Sequence, residues 1–399
     1  MKGYSRLQRF ASFGMMVVLA LTLAACGEAH PNTTFDPHSD YGRSIDFLWN
    51  RLLLLGTIVF VLVEFGLIYI MFRYRKRKGD ERPPQTHGNV AVEIIWTLIP
   101  AFILLFIAVP TVRTVFKTQA KAVAGALQIE VTGHQWWWEF RYPEYGIITA
   151  NEIYLPTGRT VNFKLTSNDV IHSFWIPQLG GKRDAITNRT NYIWLTPDSS
   201  LKPAEWNGFC TEYCGTSHAK MRFRVFTVKP DQFASWVANQ QRAAEFGAVA
   251  PAPGGPVTPA YSFPINQPEF EYAKPHTPVP AGMTFTRGLT GNAHRGLQVF
   301  SSSACIGCHA IAGNPMAVGN VGPNLTHIGS RATLGAGSFP NTPAYLALWI
   351  KNARVMKPGI LMPTLGKDEF DPVLKTKVTT GGLDDQQIAD IVAYLSALK

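Results

Sequence analysis

The sequence predicts a multidomain chain: a two-helix transmembrane hairpin, then an all-β domain, then an all-α domain at the C-terminus. Three observations carry that expectation. Two long apolar runs, residues 52–72 and 94–112, flank a short basic loop. From Leu127 the chain becomes short β-type runs punctuated by Gly, Pro and Asn. After a proline-rich stretch, the last part of the chain returns to helical periodicity. A length of 399 residues suits two or three domains.

Residues 1–25 read as a secretory signal: Lys2, Arg6 and Arg9 without an acid, then an apolar stretch, then small residues. The stretch ends Leu23-Ala24-Ala25-Cys26, which resembles the bacterial lipoprotein processing box. That resemblance implies cleavage before Cys26 and lipid on its thiol; plain signal cleavage and an uncleaved anchor are the alternatives. The net charge of +10 would suit nucleic acid if it formed a surface. It does not, because three of those charges lie in the signal and a net four lie in residues 73–82, between the apolar runs. The charge reports topology, and no nucleic-acid partner is expected.

Each apolar run is long enough to cross a bilayer, which takes about 20 residues. The first contains Glu64, which should face protein rather than lipid and for which the sequence offers no role. The second contains Pro100 and Pro110, tolerated where neighbouring helices cover the freed carbonyls. Between them, Arg73-Tyr74-Arg75-Lys76-Arg77-Lys78 marks a cytoplasmic loop, so both ends of the mature chain face outward. The expected divisions are an external segment 26–46 and a hairpin 47–116 with its cytoplasmic loop at 73–90.

The β-type runs include Leu127-Gln128-Ile129-Glu130-Val131, Asn191-Tyr192-Ile193-Trp194-Leu195 and Phe223-Arg224-Val225-Phe226-Thr227-Val228, and they predict a sandwich or barrel over 117–239. Residues 240–286 hold nine prolines between Pro251 and Pro280 with no apolar period, and read as an extended linker. In 287–399, Ile388, Ile391, Val392, Leu395 and Leu398 share a helix face behind an Asp384/Gln387 capping box. Thr342-Pro343 supplies a cap and first-turn proline for another helix.

Four of the five cysteines form two close pairs, each followed by His, which points to metal or haem rather than to disulfides. Cys305-Ile306-Gly307-Cys308-His309 is the c-type haem attachment pattern: thiols three apart on one helical turn can each form a thioether, and the next imidazole can bind the iron. A Met thioether as sixth ligand raises the potential, and Met316, Met356 and Met362 are the candidates.

The second pair lies in Cys210-Thr211-Glu212-Tyr213-Cys214-Gly215-Thr216-Ser217-His218-Ala219-Lys220-Met221. Two thiolates, an imidazole and a thioether in one loop suit copper or zinc. Two thiolates can bridge two coppers, each of which needs its own imidazole, and His172 is the natural second supplier. A structural zinc site of Cys210, Cys214, His218 and His172 is the competing assignment, though zinc would not need Met221.

The chain resembles subunit II of the haem–copper cytochrome c oxidases over about residues 40–238. The stretches that carry this are Val92-Glu93-Ile94-Ile95-Trp96-Thr97, Gly133-His134-Gln135-Trp136-Trp137-Trp138, the His172 segment and the Cys210 to Met221 loop. Residues 287–399 resemble the class I cytochrome c family through Gly296, Phe300, Gly322-Pro323-Asn324-Leu325, Lys357-Pro358-Gly359 and Met362-Pro363. The combination is similar to the haem-c-tethered (caa-type) oxidases.

These resemblances imply a cupredoxin-like domain with a binuclear CuA centre, bound by His172, Cys210, Cys214, His218, Met221 and the backbone carbonyl of Glu212. They further imply a magnesium ion at the Glu212 carboxylate, shared with subunit I, and Met362 as the sixth haem ligand, with Met356 as runner-up. Trp136 corresponds to the indole of electron entry to CuA, although Trp137 stands where the family commonly has Tyr. Glu93 corresponds to a carboxylate at the mouth of a proton path into subunit I, or is simply a solvated carboxylate at a helix start.

The implied function is electron entry from cytochrome c or another respiratory donor, via haem c to CuA and on to subunit I, where oxygen is reduced. The expected setting is the bacterial cell (inner) membrane, with subunit III a further partner. A membrane-tethered haem and copper carrier serving another terminal reductase is the alternative. Nitrous oxide reduction would need a His-rich copper-cluster domain, which ten histidines without such a cluster do not supply.

Overall fold

The computed structural model describes residues 13–18, 21, 32–77, 88–244 and 277–399. The processing box with Cys26 and most of the proline-rich stretch lie outside the described residues.

Two long helices come first, α1 (Asp40–Arg73) and α2 (Val90–Gln119), each with mean hydropathy 2.5 over its most apolar window and long and apolar enough to cross a membrane. The Ser39 side chain caps α1 and that of Asn89 caps α2, each accepting from first-turn backbone N–H groups. Lys117 Nζ donates to Ser44 Oγ at 2.8 Å, so the end of α2 lies beside the start of α1. Glu64 and Glu93 are both exposed on this pair. Helix α1 begins inside the segment that hydropathy assigns to the exterior. Its first turn is amphipathic and seated on the next domain: Tyr41 is buried, Asp40 accepts from Thr196 N–H, and Arg43 pairs with Asp198.

Ten strands follow, in two five-stranded sheets. The first runs in the order β3 (Ile147–Ala150), β2 (Trp137–Tyr142), β1 (Leu127–His134), β5 (Val161–Ser167), β8 (Asn191–Leu195). The second runs β4 (Glu152–Pro156), β10 (Arg222–Val228), β9 (Ala204–Cys210), β6 (His172–Trp175), β7 (Arg183–Ala185). Pairing is antiparallel except β1 with β5 and β10 with β4. Alternation decides the faces: Leu127, Ile129 and Val131 turn inward, while Gln128 and Glu130 do not. The shared core is aromatic, with Trp138, Phe140, Phe174 and Phe223 in mutual edge or stacked contact. Helix α3 (Pro230–Gln240) closes one end through Phe233 and Trp236.

The C-terminal part packs α4 (Ala293–Ser302), the single turn α5 (Cys305–Cys308), α6 (Pro343–Met356) and α7 (Asp385–Ala397). Asp384 and Gln387 form the expected capping box of α7, and Thr342 caps α6 ahead of Pro343. Helices α4 and α7 cross at Gly296, with Phe300 edge-on to Tyr394 at 5.7 Å. The segment 277–286 departs from an extended linker, because Val279, Met283 and Phe285 pack on this helical core. Its apolar residues lack periodicity but still find a surface to cover.

A side chain at Gly296 would bring its Cβ to 2.0 Å from the Asp390 carbonyl oxygen. Gly296→Ala should therefore separate α4 from α7 and cost about 1–3 kcal/mol, as overpacking does. The check is the midpoint of thermal unfolding followed by the helical circular dichroism signal; an unchanged midpoint would count against this crossing.

Candidate metal and haem centres

The register of the second sheet assembles the sulfur-rich loop. Strand β6 pairs with β9 so that Phe174 faces Cys210, which brings His172 alongside the end of β9. Cys210 N–H donates to the Met221 carbonyl at 3.0 Å, closing the loop between β9 and β10. The two Sγ atoms lie 3.7 Å apart, and neither cysteine is in a disulfide. His172 Nδ1 is 3.7 Å from Cys210 Sγ, and the Glu212 carbonyl is 3.3 Å from it. His218 Nδ1 and Met221 Sδ stand 3.5 and 3.8 Å from Cys214 Sγ. Each sulfur thus has one imidazole and one further donor beside it. Among the described residues, the ligand atoms of His172, Cys210 and Cys214 form the one group of His, Cys and acidic side chains compact enough to hold a metal.

The chemistry of this donor set fits metal ions. All six donors converge, whereas a structural zinc takes four. Without an ion the two thiols cannot both ionise. Hydrogen bonding from Cys214 and His172 pushes the Cys210 thiol down, and the neighbouring Cys210 sulfur pushes Cys214 up. Cations between the sulfurs remove that conflict.

The tautomer of His172 is fixed from behind. Its Nε2 lies 2.7 Å from Asp169 Oδ1, so Nε2–H donates to the carboxylate and the Nδ1 lone pair faces the sulfurs. Burial opposes ionisation of Asp169, but hydrogen bonds from His172, Gln135 N–H and Val170 N–H hold its carboxyl below the usual range. Glu212 is exposed, with its carboxylate outside the sulfur cluster.

The second centre is an apolar cavity of about 180 Å³ lined by Cys305, Cys308, His309 and Met362. His309 Nδ1 donates to the Pro323 carbonyl at 2.8 Å, which leaves Nε2 free to bind a metal. Burial pushes the His309 imidazole below its usual pKa, so it is neutral, as an iron ligand must be. Gly322 lies flat against that ring, where a Cβ would come within 2.5 Å of Cε1. Free thiols, a neutral imidazole and a thioether around an apolar cavity fit a covalently held haem. Met356 is fully buried under α6 and Met316 is exposed; neither lines the cavity.

Trp136 and Trp137 of the β domain also line this cavity, at the seam where the two domains meet. Trp136 is buried, donates from Nε1 to the Cys214 carbonyl at 2.9 Å, and has its ring against Gly359. A Cβ at Gly359, where φ is +88°, would stand 2.7 Å from that ring. Trp137 instead stacks on His134 with centroids 4.2 Å apart. At the far end of the seam, Glu152 accepts from Thr333 N–H at 2.8 Å, Thr333 Oγ1 at 3.0 Å and Ala332 N–H at 3.2 Å.

Sequence reasoning missed Asp169, Glu152 and Lys357 as contributors. For Asp169 a signal existed, an acid three residues before a candidate ligand; for Glu152 none did.

Comparison with known proteins agrees part by part. Residues 35–114 match the family profile "Cytochrome C oxidase subunit II, transmembrane domain", 146–228 its periplasmic domain, and 293–399 cytochrome c. The cytochrome c oxidase subunit 2 of Alkalihalophilus pseudofirmus is 32% identical over 391 residues, covering 96% of this chain and 95% of the relative. The chain belongs to the cytochrome c oxidase subunit II family. The counterpart from Bacillus sp. (strain PS3) is 33% identical over 417 residues, covering 100% of this chain and 99% of its own. The periplasmic domain of subunit II from Bradyrhizobium japonicum covers 31% of this chain and 96% of its own, at 32% identity and a TM-score of 0.28. A subunit II periplasmic domain implies a CuA centre and a cytochrome c domain implies a haem. The protein is membrane-anchored with an external domain.

Asp169→Asn should lower copper affinity about 10- to 100-fold, as loss of a metal ligand's carboxylate partner does. Chelator competition on the full chain measures this, and unchanged affinity would mean the imidazole is held by something else. Burial pushes the Glu152 carboxyl from 4.5 up to about 7, against its hydrogen bonds and the nearby Arg331 guanidinium. Docking therefore takes up a proton, and its contribution is complete below pH 4.5 and is lost as pH rises through the window from 4.5 to about 7. Hydrogen exchange at Ala332 and Thr333, corrected for intrinsic rate, should show more frequent opening at pH 8 than at pH 5. Glu152→Gln should flatten that difference.

Proposed function

We propose that this chain is the electron-entry subunit of a respiratory cytochrome c oxidase in the bacterial cell membrane. It would take electrons from cytochrome c or another donor at its haem domain, pass them to its CuA domain, and deliver them to the haem–copper catalytic subunit that reduces oxygen to water. The observation that carries this reading is the seam, in which one indole touches both the sulfur loop and the distal loop of the haem cavity.

Each residue has a part in this reading. Cys210, Cys214, His172, His218, the Met221 thioether and the Glu212 carbonyl would hold the copper centre. Cys305 and Cys308 would anchor the haem by thioethers, with His309 Nε2 and the Met362 thioether as its iron ligands. When bound, the haem iron and the copper pair each supply a one-electron couple. Trp136 is the entry contact for the electron. The exposed Glu212 carboxylate would hold a magnesium ion shared with subunit I, and Glu93, in the first turn of α2, would serve that subunit's proton path.

The helix pair α1 and α2 anchors the chain with loop 73–90 in the cytoplasm, and Cys26 adds a lipid. Subunit I and subunit III are the membrane partners. Residues 117–239 and 287–399 act as the two redox domains, and the tether between them keeps each at high effective concentration for the other.

Optical and EPR spectra of the purified chain test the assignment. A c-type α-band beside a hyperfine pattern delocalised over two coppers is expected. A single-copper signal, or zinc in place of copper, would overturn the CuA assignment. Failure to co-purify with a polytopic haem-containing subunit would turn the reading toward a tethered carrier for another reductase.

A further inference from the structure

Lys357 is a lysine with almost no contact with solvent, 2% exposed, in the loop that leads from α6 to Met362. Its Nζ donates to the Gly335 carbonyl at 3.0 Å, within its own domain, and to the Trp136 carbonyl at 2.6 Å, across the seam. The residues on either side are tied across the same seam. Lys220 Nζ donates to the Met356 carbonyl at 3.2 Å, and Ser217 Oγ donates to the Pro358 carbonyl at 2.6 Å. Three consecutive residues of the haem domain are thus fastened to the copper domain, and Gly359 then lies against the Trp136 ring.

A surface lysine would lose several kinds of freedom and its hydration by entering such a site. Here both costs are offset only while the two domains are together, because one of its two acceptors belongs to the other domain. Separation would return the amine to water and leave it the Gly335 carbonyl as its one protein acceptor of the two.

We propose that Lys357 is a positioning residue for electron transfer between the two centres. By bridging the carbonyls of Gly335 and Trp136 it seats the haem domain on the copper domain and fixes the Trp136 indole at the mouth of the haem cavity. The proposal rests on the function proposed above, in that the seam is the route between the centres. It assigns to this chain a residue outside both ligand sets whose loss separates the centres without dismantling either.

Lys357→Met keeps the length and apolar stem and removes the donors. In the full chain, hydrogen exchange over residues 133–138 and 331–337 should become about tenfold faster, the factor that about 1.4 kcal/mol represents. The c-type α-band and the copper EPR signal should stay as they are. In the assembled oxidase, flash reduction of the haem should be followed by re-oxidation of its α-band about tenfold more slowly, while reduction introduced directly at copper should decay at its normal rate. If Met at this position blocks haem attachment, seen as loss of the α-band, Lys357→Leu, which also removes the donors, carries the same comparison. Unchanged exchange at the seam, or an unchanged re-oxidation rate with a loosened seam, overturns the proposal. If the unaltered protein never re-oxidises its haem through copper after a flash, the function proposed above fails instead, and the exchange measurement still decides whether Lys357 clamps the domains.

Discussion

Two sulfur atoms 3.7 Å apart in a site closed to water are the constraint on which the copper domain depends. As two thiolates they would repel strongly at that distance in a medium of low dielectric, and a cation or a proton relieves that repulsion. The backbone must hold them there regardless. It does so with strand pairing on both flanks: β9 to β6 delivers Cys210 to His172, and β9 to β10 closes the loop through Met221. The aromatic core behind these strands makes the frame stiff. A flexible loop would relax the sulfurs apart; a sandwich end cannot. The imidazole needs the same discipline, and the Asp169 carboxylate supplies it by fixing which ring nitrogen carries hydrogen.

The haem cavity is organised by another route. Cys305, Cys308 and His309 are local in sequence, so one helical turn presents them together. What must come from elsewhere is the fixed orientation of the ring, set by the Pro323 carbonyl, and the opposite wall, which carries Met362. Both arrive on loops, at residues 321–325 and 357–365. The third wall is the copper domain itself, through Trp136 and Trp137. A cavity completed by a neighbouring domain has no reason to be fully formed without it, and that ties cofactor environment to docking.

How legible each part is in the sequence follows from how far its partners lie along the chain. Five of the six sulfur-site donors fall between Cys210 and Met221, and the haem motif is five residues long, so both stand out as patterns. His172 lies 38 residues from Cys210, and only its type and the need for a second imidazole point to it. The hairpin is legible from hydropathy, but the start of α1 is not, because its first turn is amphipathic and belongs to the next domain's surface. The seam is illegible. Glu152 meets Thr333 N–H across 181 positions and Lys357 meets the Trp136 carbonyl across 221, and no local pattern encodes a contact whose partner is a backbone group. Carbonyls are present at every residue, so only the folded shapes choose among them.

The distal loop of the haem domain therefore does two things with one short stretch of chain. Residues 356–359 fasten to the copper domain, and Met362, three residues on, turns back into the cavity. Gly359 makes both achievable, since its left-handed backbone reverses the chain and its missing side chain admits the Trp136 ring. A thioether bonded to iron would hold the loop from inside while the seam holds it from outside, so a change at one end is felt at the other. Independent loops for ligation and docking would let the indole drift relative to the haem cavity; a shared loop keeps their separation fixed by covalent geometry. The hydrogen bonds to carbonyls beside this indole contact specify one register, whereas an apolar patch alone would tolerate sliding.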